Sequence, residues 1–269
     1  MEVWNAVEVS KVFEGGRTHP ILVECESPNS KTSETRLYVL KAMGLPDVTE
    51  ASLFFELFGN LLARKMQVDT PEPALIRLTP EFISSQSCIK MLSAKNIALS
   101  EGMGVGCAFY PSGFVTVLED SALSEKEMQQ AARIYAYDML TQNPDRTFKG
   151  GGKPNCSQFG TGLIAYDFEL SFSFVRLFAL NASAWEVCSN GFYNKHIFYT
   201  QLKEGYKNGK VSFESVIDDL RILDIEKLMK VKDVLPAGWL IYAPKIESHL
   251  QNVIQNLPSF EKELIRSLA

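Results

Sequence analysis

Three polar residues stand in an order that could move a phosphoryl group. Asp145 lies in Gln142-Asn143-Pro144-Asp145-Arg146-Thr147, just past a predicted helix. Asn155 lies in the following loop, in Lys153-Pro154-Asn155, and Asp167 ends a short apolar run in Ile164-Ala165-Tyr166-Asp167-Phe168-Glu169. Phosphoryl transfer from ATP needs one carboxylate to orient the attacking hydroxyl and accept its proton. It also needs an Asn carbonyl and a second carboxylate for the Mg2+ ions that bridge the phosphates. Magnesium prefers such hard oxygen ligands and takes few of them from the protein. Singly each residue is bland, because Asp and Asn commonly sit in turns. The order, the spacing and the predicted elements agree.

The N-terminal half offers a second group. Lys41 closes the apolar run Leu37-Tyr38-Val39-Leu40-Lys41, where a lysine can reach the α- and β-phosphates of a nucleotide if a carboxylate holds it. Glu56 is the one acidic residue in the apolar helical stretch Leu53-Phe54-Phe55-Glu56-Leu57. Ser52, Gly59, Asn60 and Ala63 share its face, small residues that let a strand come close. The bland alternatives are a snorkelling lysine at a strand end and a solvated glutamate on an outer helix face. Gly15-Gly16-Arg17-Thr18 forms a turn whose backbone N–H groups can cradle an anion, although any hairpin can show two glycines.

The elements that must position these residues fall into two groups. Val3 to Phe13, Ile21 to Cys25, Arg36 to Ala42 and Ala74 to Leu78 have strand patterns. A helix is predicted from Thr49 to Met66, capped by Asp47 or Thr49, and Thr70-Pro71-Glu72-Pro73 stops it. Thr79-Pro80-Glu81 starts another helix. Ser124-Glu125-Lys126-Glu127 fits a capping box for a helix running to about Asn143, and Gly162 to Tyr166 is a short strand. Helical stretches follow near 174–185, 193–207, 212–222 and 224–233, with a last one broken at Pro258. The resulting expectation is an α+β protein of two lobes, a β-rich N-lobe over 1–105 and a mostly helical C-lobe over 106–269. The hinge would lie around Gly102-Met103-Gly104-Val105-Gly106.

The segment Asp145-Arg146-Thr147, Lys153-Pro154-Asn155, Ala165-Tyr166-Asp167-Phe168-Glu169 resembles the catalytic segment of HipA-like kinases and, more distantly, that of phosphatidylinositol 3-/4-kinases. The resemblance runs from Gly15 to Trp239, and its specific part is the catalytic segment. It implies a protein-kinase-like fold with the nucleotide site between the lobes. It also implies Asp145 as catalytic base, Asn155 and Asp167 as metal ligands, and a Lys41–Glu56 ion pair. Gly15, Gly16, Arg17 and Thr18 then form a turn over the phosphates of ATP, with Mg2+ as the metal. Lys149-Gly150-Gly151-Gly152 lengthens the Asp145–Asn155 loop beyond the family pattern. Full HipA toxins carry a further N-terminal subdomain, so this chain looks like a minimal kinase form, which leaves a toxin role and an antitoxin or other regulatory partner open.

Composition narrows the setting. The net charge of −5 argues against a nucleic-acid partner, and no apolar run is long enough to cross a bilayer. The start, Met1-Glu2-Val3-Trp4, has the character of no secretory signal, and the five cysteines are spaced as reduced thiols. A cytoplasmic location is the expectation. The three histidines are too scattered for a metal cluster. Three functions remain: a kinase for Ser or Thr hydroxyls of a protein, a small-molecule kinase, and a non-catalytic pseudokinase that binds nucleotide or a partner.

Overall fold

Alternating apolar side chains build the first strand, and a break in the alternation records a bulge. In β1 (Val3–Val12) Trp4 and Ala6 are buried, then Val9 rather than residue 8, while Val7 is exposed. The pairing with β2 (Ile21–Glu26) shifts register between Ala6 and Glu8, so the inward face is recovered one residue late. The computed structural model describes residues 1–28, 34–151, 153–176, 186–189 and 191–269. With β3 (Thr35–Lys41), β4 (Pro73–Leu78) and β5 (Gly102–Ala108), the first two strands close into a barrel ordered β1-β2-β3-β5-β4. The parallel pairing of β1 with β4 completes the ring and leaves no open edge.

The segment Gly102–Gly106, where the hinge is expected, forms most of strand β5. It pairs antiparallel with both β3 and β4, so the boundary between 105 and 106 cuts through a central strand. Two of its glycines, Gly104 and Gly106, reflect crowding. A Cβ on Gly104 would lie 2.6 Å from Leu40 Cδ1 and 2.7 Å from the Lys41 carbonyl oxygen, and one on Gly106 would lie 2.8 Å from Ile76 Cγ1. Close approach of neighbouring strands is what selects glycine here.

Helix α1 (Glu50–Lys65) starts at Thr49, whose hydroxyl accepts from the Ser52 amide while Ser52 Oγ accepts from the Thr49 amide. Thr49 is therefore the cap, not Asp47. Short helices α2 (Pro80–Ile83) and α3 (Gln86–Ser93) follow β4 and pack on β1. Beyond the barrel, β6 (Phe114–Thr116), β7 (Cys156–Phe159) and β8 (Gly162–Ala165) form a small antiparallel sheet. Helix α4 (Glu125–Thr141) has the expected Ser124–Glu127 capping box and runs between β6 and the loop that carries Asp145.

Among the described residues after β8 the regular elements are helical. They comprise α5 (Tyr199–Lys207), α6 (Glu214–Arg221), α7 (Ile225–Met229), α8 (Ala243–Gln255) and α9 (Leu257–Leu268), joined by 3-10 turns. The helix expected over 193–207 is interrupted because His196 is extended and pairs with Thr147. Pro258 breaks the last helix as expected, with the join at Asn256 and the proline in the first turn of α9. Most of the stretch expected to be helical over 174–185 and the tip of the Ser27–Ser33 loop lie outside the described residues. Trp239 is buried in the core, and a 3-10 helix over Ala237–Tyr242 packs on α1. No helix of the described residues is long and apolar enough to cross a membrane.

Candidate active site

Val39 and Lys41 share one face of β3 while Leu40 points into the barrel core, as strand alternation requires. Both line a cavity of about 460 Å3. Its apolar wall is completed by Val105, Ala108, Phe109, Tyr110 and Phe114, and its polar end carries Glu56, Lys153, Asn155 and Asp167. Gly15 lies on its rim. Residues more than a hundred positions apart therefore meet at one opening.

Lys41 is the centre of charge. Its Nζ donates to Glu56 Oε2 at 2.9 Å, to Asp167 Oδ1 at 2.5 Å and to Glu169 Oε2 at 2.9 Å. Burial alone would depress this ammonium, but the three carboxylates outweigh burial and hold it well above the usual lysine range. Glu56 is buried on α1, and its Oε2 also accepts from the Phe168 amide at 2.9 Å. Burial pushes Glu56 up, Lys41 pulls it down, and the neighbouring acids push it up again. Gly59, one turn further along α1, gives the Asp167–Phe172 segment room to pass. A Cβ there would lie 2.9 Å from both Phe168 Cβ and Tyr137 Oη.

Asp145 lies beyond the end of α4, whose C-cap Gln142 is left-handed. Its Oδ2 accepts from Asn155 Nδ2 at 2.8 Å, so the ten-residue excursion between them closes on itself. Burial and the nearby Asp167 raise the Asp145 carboxyl, while Asn155, Arg146 and Arg17 oppose them. Asp167 is held below the ordinary carboxyl range. Burial would raise it, but Lys41, Arg146 and Lys153 prevail. Asn155 and Asp167 both have left-handed backbones, with φ of 45° and 63°. Asn and Asp are the non-glycine residues that tolerate this conformation best, and such strain collects at functional sites.

Arg146 ties the two halves of this constellation together. It is fully buried beside the Phe168 ring. Its Nε donates to Asp138 Oδ2 at 2.6 Å, and its Nη1 donates to the carbonyls of Asn155 and Tyr166. Asp138 in turn accepts from Asn143 Nδ2 at 2.9 Å and from His196 Nε2 at 2.9 Å. These bonds tie the segment after α4 to the backbone at Asn155 and Tyr166.

The donor set suits a divalent metal. With the Asn155 amide nitrogen committed to Asp145, its Oδ1 is the atom left for a cation, beside an ionised Asp167. Both are hard oxygen ligands of the kind Mg2+ takes. Glu56, Asp167 and Glu169 also lie close enough for a cation, but the Lys41 ammonium already sits among them.

The sequence model of the HipA-like kinases matches residues 6–267. The chain belongs to the HipA-like kinase family. As a HipA-like kinase it is of phosphotransferase type, and the family in general uses ATP and a divalent metal. In structure it is similar to the Helicobacter pylori proinflammatory kinase CtkA, with 14% identity and a TM-score of 0.44 over 97% of this chain and 94% of that one. No curated protein sequence matches it.

Of the residues singled out from sequence, Lys41, Glu56, Asn155, Asp167 and Gly15 line the one cavity, and Asp145 touches it through Asn155. Gly16 has a φ of 103° and Arg17 is exposed, close enough for its charge to act on Asp145. Thr18 is buried, and its side chain has no described hydrogen bond. Sequence reasoning missed Glu169, Lys153 and Asp138. Asp138 carried the same signal as Glu56, an acid inside an apolar helical run. Glu169 and Lys153 lie within the quoted catalytic segment, but only the fold brings them to Lys41 and to Gly15.

Proposed function

We propose that this HipA-like kinase moves the γ-phosphoryl group of ATP to a hydroxyl acceptor, with a Ser or Thr of a protein as the preferred acceptor. The observation that carries this reading is the convergence of Asp145, Asn155, Asp167, Lys41 and Glu56 at one end of a single apolar cavity. The apolar wall suits a purine ring, and the Lys41 ammonium suits the α- and β-phosphates. Asn155 and Asp167 would hold Mg2+, which supplies charge neutralisation of the phosphates when bound. Asp145 accepts the acceptor hydroxyl's proton as the new O–P bond forms and the bond to the β-phosphate oxygen breaks, releasing ADP. Its raised carboxyl favours that proton transfer.

In this reading the barrel and α1 form the nucleotide lobe and the helical part forms the second lobe, with the division after Ala108 rather than within β5. The long Asp145–Asn155 loop closes on itself through the 2.8 Å bond between its ends, which supports catalysis over a non-catalytic module.

The test is incubation with radiolabelled ATP and Mg2+, wild type beside Asp145→Asn and Asp167→Asn, reading labelled protein and released phosphate. Label with wild type only is the expected result. Wild-type label retained in both variants would remove Asp145 and Asp167 from the chemistry. A folded wild type that binds ATP and transfers nothing to itself, to added protein or to a metabolite panel would leave the pseudokinase reading.

A further inference from the structure

Among the described residues the cavity wall carries two cations, and they are in opposite situations. Lys41 is buried and saturated by three carboxylates. Lys153 is exposed, and its ammonium makes no described hydrogen bond or ion pair. Its position is nonetheless specific. Lys153 Nζ lies 3.1 Å from where a Cβ on Gly15 would stand and 3.4 Å from that of Gly16. The ammonium reaches from the segment just before Asn155 across the cavity mouth to the glycine turn between β1 and β2. It fits there because those two residues have no side chains.

A cation in that place faces three things: the backbone of an anion-cradling turn, the residues suited to a metal, and the open end of a cavity whose inner end holds Lys41. Buried Lys41 and exposed Lys153 are thus ordered along the cavity from inside to outside. We infer that Lys153 is a second phosphate-binding residue, which takes the terminal phosphate of the nucleotide and joins the Gly15–Thr18 turn to the Asn155–Asp167 segment around it. This rests on the nucleotide reading above and adds to it a grading by phosphate number, with ATP held more tightly than ADP and adenosine held without help from Lys153. Arg17, also without a described ion pair, adds positive charge from the same turn and acts on Asp145.

The test is a calorimetric titration of wild type, Lys153→Met and Lys153→Arg with ATP, ADP and adenosine, with and without Mg2+. Loss of a charge-assisted hydrogen bond to phosphate predicts about tenfold weaker ATP binding in Lys153→Met, with adenosine unchanged and Lys153→Arg near wild type. Because the side chain is exposed, the thermal midpoint should not move. Undiminished ATP binding by Lys153→Met, or an equal loss for adenosine, overturns the inference while wild-type phosphate transfer leaves the kinase reading standing. Failure of wild type to bind any of the three ligands would overturn both.

Discussion

Glu56 Oε2 accepts a hydrogen bond from the backbone amide of Phe168 at 2.9 Å. The same oxygen accepts from Lys41, so one buried atom fixes the lysine against the backbone that directly follows Asp167. The distance between the Lys41 ammonium and the Asp167 carboxylate is therefore set in part by α1. Any movement of α1 would change both together. Contacts of α1 with the 3-10 helix over Ala237–Tyr242, including Phe55 against Tyr242, anchor it to the C-terminal part of the chain.

Glu56→Gln should keep the shape and lose the charge. A glutamine oxygen in the place of Oε2 can accept from both the Phe168 amide and Lys41, but the charge opposite Lys41 is lost and the NH2 group is set against the Cys107 thiol that donates to Oε1. The loss should be about 1–3 kcal/mol, the usual cost of leaving a buried polar group badly paired. The expected signature is a lowered thermal midpoint together with a lowered kcat in the transfer assay. An unchanged kcat with an unchanged midpoint would show that Glu169 and Asp167 suffice to hold Lys41.

Gly59→Ala tests the passage of the Phe168 segment over α1. Its added methyl would stand 2.9 Å from Phe168 Cβ and Tyr137 Oη, and neither is the free end of a flexible side chain. Alanine favours a helix by about 1 kcal/mol over glycine, whereas overpacking costs about 1–3 kcal/mol. Net destabilisation is expected in urea unfolding, with activity falling further because Asp167 is displaced. A more stable, fully active variant would mean that the segment yields freely.

The convergence of Asp145, Asn155 and Asp167 was legible in the sequence because they follow one another along a short stretch between a capped helix and an apolar strand. The caps at Thr49, Thr79 and Ser124 were legible for the same local reason. Strand β5 was not. Glycine is a poor strand former taken alone, and only the side chains of Leu40 and Ile76 on neighbouring strands explain Gly104 and Gly106. Nor could local pattern give the left-handed backbones at Asn155 and Asp167, the partners of Arg146, or the third carboxylate on Lys41. Each of these depends on contacts between residues far apart in the chain.

Arg146→Ala should be among the most damaging single changes. It leaves Asp138 buried with its charge opposed only by polar partners, and it frees the carbonyls of Asn155 and Tyr166. Removing one partner of a buried ion pair costs about 3–5 kcal/mol. Arg146→Lys keeps the charge but lacks the fork that reaches Asp138 and the carbonyls at once, so it should recover only part of the stability. Chemical denaturation of the two variants beside wild type checks the ranking. Equal stability of the lysine variant and wild type would reduce the role of Arg146 to its charge.

His196 should make the fold sensitive to mild acid. Its Nδ1 accepts from the Phe198 amide at 3.2 Å, so Nε2 carries the proton and donates it to Asp138. A second proton on Nδ1 would set two donors against each other. Burial depresses the ring below the ordinary histidine value of 6.5, although Asp138 pulls it up. A base with a lowered folded-state value takes up its proton in the unfolded chain first, so stability falls as pH drops below 6.5. Asp138 has the same sign further down. Its folded value is held below 3.8, and its contribution disappears as pH falls through that folded value. His249, half-buried with its Nε2 at the Leu140 carbonyl and also depressed, adds a second proton of the same sense. Each such site contributes at most about 1.4 kcal/mol per pH unit. His196→Gln should therefore flatten the fall in unfolding free energy between pH 6.5 and 5 by up to one proton's worth, leaving that of His249. Urea unfolding of both proteins across that interval measures it, and identical slopes would mean that His196 is protonated in the folded protein as readily as in the unfolded chain.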